Sequence, residues 1–113
     1  MRIAVHFTSG QWAIDPDPAQ VRIGEPIEWL INASGTQLPN LLLWTIYFNE
    51  RSPFGPAISR FTVTTLRAPS DHLGIIGPVY AAVPDDYKYG VRVQDADSQK
   101  TVGDDDPRLI VTP

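Results

Sequence analysis

Proline stands at positions 16, 18, 26, 39, 53, 56, 69, 78, 84, 107 and 113, so few windows can carry a long helix without an interior proline breaking its hydrogen-bond ladder. Extended segments are what remains. Ile3, Val5 and Phe7 alternate with Ala4, His6 and Thr8, and Val21 and Ile23 alternate with Gln20 and Arg22. After Gly24-Glu25-Pro26, the residues Ile27, Trp29 and Ile31 take every second position. The same rule holds for Phe61, Val63 and Thr65, for Tyr87, Tyr89, Val91 and Val93, and for Leu109 and Val111. A period of two is that of a strand with one face on a core. Seven to eight short strands with turn-rich connections predict a single all-β domain over residues 1–113, an antiparallel Greek-key sandwich. A barrel of similar strand count satisfies the same alternation.

Composition narrows the chemistry. With 113 residues and 42% hydrophobic content, the chain can bury about two-thirds of its unfolded surface and needs no disulfide or metal to fold. It has no cysteine, which removes zinc fingers, iron–sulfur clusters and cysteine nucleophiles. A formal charge of −4, without a basic cluster, disfavours nucleic acid as a partner. The longest mostly apolar run, residues 41–48, falls short of the roughly 18 residues that span a bilayer, so no membrane insertion is expected. The start reads as a strand instead of a signal peptide; the expected compartment is the cytoplasm if Met1 is the native start, and an exported one if a signal was removed.

Residues 41–48 are apolar in both parities. Leu42, Trp44, Ile46 and Phe48 suit a core, which leaves Leu41, Leu43 and Tyr47 on the second face. Either the loop at residues 49–59, with Phe54 and two prolines, covers that face, or it serves self-association or a protein partner.

The stretch at residues 15–29, with Gly24-Glu25-Pro26 before Ile27-Glu28-Trp29, resembles the opening of cupredoxin-like domains. Tyr87 to Val93 followed by Asp106-Pro107-Arg108-Leu109-Ile110-Val111 resembles the last two strands of copper-free members of that fold. Both stretches also suit immunoglobulin-like sandwiches. The resemblance implies a compact sandwich, but not copper chemistry. A blue-copper site of that family takes one mid-chain His and a Cys, His and Met cluster between the last strands, whereas here Met1, His6 and His72 are the only Met and His residues. No cofactor is expected.

Other candidate chemistry is sparse. Asp95, Asp97, Gln99 and Asp106 approximate an EF-hand ligand order, but Lys100 occupies the position that needs glycine and the flanks read as strands, which leaves weak calcium binding outside that motif through Asp95, Asp97 and the run Asp104 to Asp106. A polar hairpin explains the same residues. Ser70-Asp71-His72 holds the residue types of a hydrolase triad, yet adjacent residues rarely face one another, and a turn with His72 exposed is expected. Trp29, Trp44, Tyr87 and Tyr89 fall on core parity; Trp12 and Tyr80 lie in turn-like surroundings and are the candidates for stacking a sugar. The sequence therefore reads as a non-catalytic binding or assembly domain, with a calcium-binding β-domain and a carbohydrate-binding module as alternatives.

Overall fold

The computed structural model describes residues 1–35, 38–55, 60–68 and 71–113, the side chains of residues 66–68 and 71 excepted. Eleven strands account for its regular structure: β1 (Arg2–Thr8), β2 (Gln11–Asp15), β3 (Ala19–Arg22), β4 (Pro26–Ser34), β5 (Leu41–Tyr47), β6 (Arg60–Ala68), β7 (Asp71–Tyr80), β8 (Asp85–Lys88), β9 (Gly90–Asp95), β10 (Thr101–Asp105) and β11 (Arg108–Thr112). Eight of them join in the order β10-β9-β5-β6-β7-β4-β1-β2, and β3-β11-β8 form a small second sheet. The long sheet turns back on itself at the β6–β7 join, where the ladder holds only the pairs Arg67↔His72 and Ala68↔Asp71. Its two halves then face each other as the layers of an all-β sandwich.

Alternation predicts the interior well. Ile3, Val5, Ile27, Trp29, Leu42, Trp44, Ile46, Val91, Val93 and Leu109 are fully buried. The two buried indoles each find an acceptor: Trp29 Nε1 donates to Tyr89 Oη at 3.1 Å, and Trp44 Nε1 donates to Thr65 Oγ1 at 3.0 Å. Five aromatic rings close a circuit between the layers. Phe48, Phe54, Phe61, Trp29 and Tyr89 follow one another with centroid separations of 5.6, 5.2, 6.2 and 5.9 Å, and Tyr89 returns to Phe48 at 5.2 Å. Offset and edge-on pairs of this kind add to the hydrophobic contribution of the rings.

The strand count and pairing depart from the expected seven or eight antiparallel strands. β1 pairs parallel with β4, and β3 pairs parallel with β11. The reason is a detour: after the β1–β2 hairpin the chain crosses into the small sheet as β3 and returns on the other side of β1. The segment Tyr87 to Val93, expected as one strand, breaks at Tyr89, whose N–H donates to Pro107 O. On one side of that residue β8 pairs with β11; on the other β9 pairs with β5.

Three further expectations are corrected. Ile23 is 45% exposed, because β3 ends at Arg22 and Glu25 N–H closes a turn onto Arg22 O. His72 is only 1% exposed, on the inward parity of β7. Phe54 does not cover the second face of β5; it packs on the core side against Phe48 and Phe61, while residues 56–59 lie outside the described residues.

The free edges β2 and β10 lie at opposite ends of the long sheet, and their side chains approach one another across the sandwich. Trp12 on β2 packs on Phe7 at 4.7 Å and meets Trp44 edge-on at 6.2 Å. A Cβ on Gly103 of β10 would stand 2.7 Å from Phe7 Cε1 and 3.2 Å from Trp12 Cζ2. Gly103→Ala is expected to lower unfolding free energy by about 1–3 kcal/mol through overpacking. Urea denaturation checks this, and an unchanged midpoint would show that the seam between the two edges is loose.

Candidate functional site

Two outer faces and one end cleft are open for chemistry or contact. On the outer face of β5, Tyr47 is held by its own neighbours: its hydroxyl donates to Asp104 Oδ1 at 2.8 Å, and Arg92 Nε donates to the other carboxylate oxygen at 3.1 Å. The Arg92 guanidinium lies 4.7 Å from the Tyr47 ring centroid, and a Cβ on Gly90 would collide with the ring. Leu41 and Leu43 are half-buried, and Leu43 sits in register between Thr64 and Gln94. This face is thus a mixed polar surface rather than an open apolar one.

The contiguous apolar surface lies on the other layer. In β1 the outward residues are Arg2, Ala4, His6 and Thr8; in β4 they are Glu28, Leu30, Asn32 and Ser34. Register aligns them in rows across four strands. One row runs Asp15, Ala4, Leu30, Ile75, and the next runs Ala13, His6, Asn32, Leu73. Leu73 and Ile75 are each 58% exposed, and together with Ala4, His6, Leu30 and Asn32 they line a shallow depression of about 630 Å³.

The register of β7 fixes this exposure. Shifting a strand by one residue exchanges its faces. Such a shift would turn Leu73 and Ile75 inward, where Gly74 now sits so close to β6 that an added Cβ would be 2.7 Å from Thr65 Cγ2. The inward places therefore go to His72, Gly74 and Ile76, and the large aliphatic side chains go out. The cost is visible in the core, where neither ring nitrogen of His72 has a hydrogen-bond partner among the described residues. Asn32 Oδ1, on the floor of the depression, is also buried without one. A buried unpaired acceptor costs about 1–3 kcal/mol.

At one end of the sandwich, Tyr47, Glu50, Arg51, Asp86, Lys88 and Asp106 line a polar cleft of about 430 Å³. Among the described residues most of its charges are paired internally, Glu50 excepted: Arg51 with Asp85, Arg108 with Asp86, and Lys88 with Asp106 at 3.0 Å. The acidic loop is likewise occupied. Asp95 Oδ1 accepts the N–H groups of Asp97 at 2.9 Å and Ser98 at 3.3 Å, forming the turn that joins β9 to β10. Asp104 serves Tyr47 and Arg92, and Asp106 serves Lys88, so the four carboxylates do not converge. Among the described residues no three His, Asp or Glu side chains come together as metal ligands. Ser70 lies outside the described residues, and His72 points into the core.

Trp12 and Tyr80 are not brought together. Trp12 stands opposite Phe7, whose neighbour in β4 is Ala33, whereas Tyr80 stands opposite Pro26, seven residues away along that strand. At about 3.3 Å per residue the two rings lie at opposite ends of the sheet. Trp12 is half-buried against Phe7, and Tyr80 is 59% exposed. Sequence parity missed Leu73 and Ile75, although both parities of residues 73–79 are apolar in places, the same signal that drew attention to β5.

No protein-family model matches the chain, and no curated protein matches it. Among solved structures, a chain in the cryo-EM structure of a heme-copper terminal oxidase dimer is similar at 8% identity and a TM-score of 0.37, over 98% of this chain and 64% of that one. The chain thus spans less than two-thirds of that protein's length, and the likeness carries no argument about function. No helix among the described residues is long and apolar enough to cross a membrane.

Burial raises the phenols of Tyr47, Tyr87 and Tyr89, most strongly Tyr89; Asp104 raises Tyr47 further, against the lowering effect of Arg92. Arg51 opposes the shift at Tyr87, and the hydrogen bond from Trp29 opposes it at Tyr89. A group raised in the folded chain contributes stability that is fully present below its unfolded value, near 10 for tyrosine, and lost as pH climbs through the folded value. Melting temperature is therefore expected to fall above about pH 10. Tyr89→Phe should flatten that fall while costing about 1–3 kcal/mol at neutral pH, because Trp29 N–H loses its acceptor. Thermal melts of both chains across the alkaline range check this; parallel curves would remove Tyr89 as the source.

Proposed function

We propose that this chain is a non-catalytic binding or assembly domain on a cupredoxin-like scaffold without copper ligands, and that its contact surface is the outer face of β2-β1-β4-β7. The observation that carries the reading is the pair Leu73 and Ile75, more than half exposed beside Leu30 and Ala4, over a buried carboxamide oxygen without a partner. Contiguous exposed apolar surface of this kind marks contact sites in soluble proteins. A concave apolar floor with few convergent polar groups is also the usual build of a binding site. The scaffold assignment rests on the Gly24-Glu25-Pro26 opening and on the last strands, and the region between those strands supplies no Cys, His or Met. Asp95, Asp104 and Asp106 serve the chain itself, which weighs against the calcium alternative, and the separation of Trp12 from Tyr80 weighs against a shared sugar platform.

A photo-crosslinking residue placed at Leu73 tests the face, with Thr62 on the opposite layer as the control. A discrete adduct at Leu73 and none at Thr62, in cells producing the chain, is the expected outcome. Equal labelling at both positions, or none at Leu73, would overturn this contact surface.

A further inference from the structure

We propose that the occupant of this face is a second copy of the chain, docked about a two-fold axis that runs parallel to the strands, midway between β1 and β4. The proposal rests on the face being a contact surface, and it adds the identity and geometry of what covers it. Such an axis keeps each residue at its height along the strands and exchanges sides, so that β1 of one copy lies over β4 of the other and β2 lies over β7. A two-fold interface is self-complementary when each residue meets a suitable partner under that exchange.

The rows of this face meet the condition. Ala4 lies in register with Leu30, so the exchange sets a small side chain over a large one, twice. Ala13 and Leu73 occupy the outer strands of the next row and are exchanged in the same way, which seats the exposed Leu73 of each copy on the small Ala13 of the other's edge strand. Between them, His6 comes over Asn32. The imidazole and the carboxamide are both polar, so neither is set against an aliphatic side chain.

At the end of the same strands Arg2 comes over Glu28. Within one copy these two are in register and separated by 3.6 Å, so the exchange builds four charges of alternating sign. Thr8 comes over Ser34, hydroxyl on hydroxyl. The mismatch is Ile75, which reaches the rim beside Asp15, an exposed residue free to keep its carboxylate in water.

The other in-plane axis, across the strands, sets each strand on its own copy, so Arg2 never comes over Glu28. Sheets packed face to face cross within about 30°, so the match is best at the central rows and loosens toward the charged end.

Sedimentation equilibrium of the purified chain should show a reversible dimer. Leu73→Glu should weaken it by at least about tenfold, while circular dichroism and melting confirm that this exposed substitution leaves the fold intact. The charge exchange is the stricter arm. Arg2→Glu alone and Glu28→Arg alone should each weaken the dimer, and the double variant should restore it. Because the chain has no cysteine, a mixture of His6→Cys and Asn32→Cys proteins should form a disulfide between copies, and Thr64→Cys should not.

A chain that stays monomeric at about 1 mM overturns the proposal, as does a dimer indifferent to Leu73→Glu or one that the double charge exchange fails to restore. An adduct at Leu73 to a protein of another mass, with the chain itself monomeric, overturns the second copy and keeps the face as a contact surface. Absence of any specific adduct overturns both.

Discussion

The contact between Trp29 and Tyr89 holds the two layers in one arrangement. Trp29 belongs to β4, in the centre of one layer, and Tyr89 is the residue at which the chain leaves the small sheet for the other layer. Their rings meet at 5.9 Å, the indole N–H is bonded to the phenol oxygen, and Phe48, Phe54 and Phe61 complete the circuit around them. Two large aromatics contribute several kcal/mol of burial, and the buried polar atoms that face each other are satisfied together. Removing either ring would leave both a cavity and an orphaned polar group.

From that anchor the outward faces follow. Trp29 inward sets Glu28, Leu30 and Asn32 outward on β4, and the parallel ladder passes the same parity to Arg2, Ala4 and His6 on β1. On β7, crowding between Gly74 and Thr65 rules out the register that would hide the aliphatic residues. The exposed apolar face is therefore a consequence of interior packing, and no local preference of residues 73–75 for water produces it.

Much of this was legible beforehand. In β1, β4 and β11 large apolar residues recur at every second position, and the sequence reads their buried face correctly even though Ala4, Leu30 and Ile110 stand on the other side, because period-two alternation reports burial on one side. β2 and β10 escape the sequence reading for lack of length: Trp12 and Ile14 alternate over only five residues between Gly10 and Asp15-Pro16, and β10 has Val102 as its single large apolar residue. β7 misleads, since it carries His72 and Gly74 inward and Leu73 and Ile75 outward, the reverse of what hydropathy selects. Only the contact of Gly74 with Thr65 of the preceding strand decides it, and alternation within one strand carries no trace of that contact. The same holds for Phe54, whose side of β5 depends on Phe61.

The small sheet carries one more consequence. Its middle strand is β11, parallel to β3 on one side and antiparallel to β8 on the other, so two strands made early wait for one made late. Until residues 108–112 have left the ribosome, β3 and β8 have no ladder to join, and Leu109 and Val111 leave a gap beneath Val21 and Tyr87. Synthesis and closure are thereby separated in time: a nascent chain can collapse around its aromatic centre, but the finished sandwich forms only after translation has passed this strand.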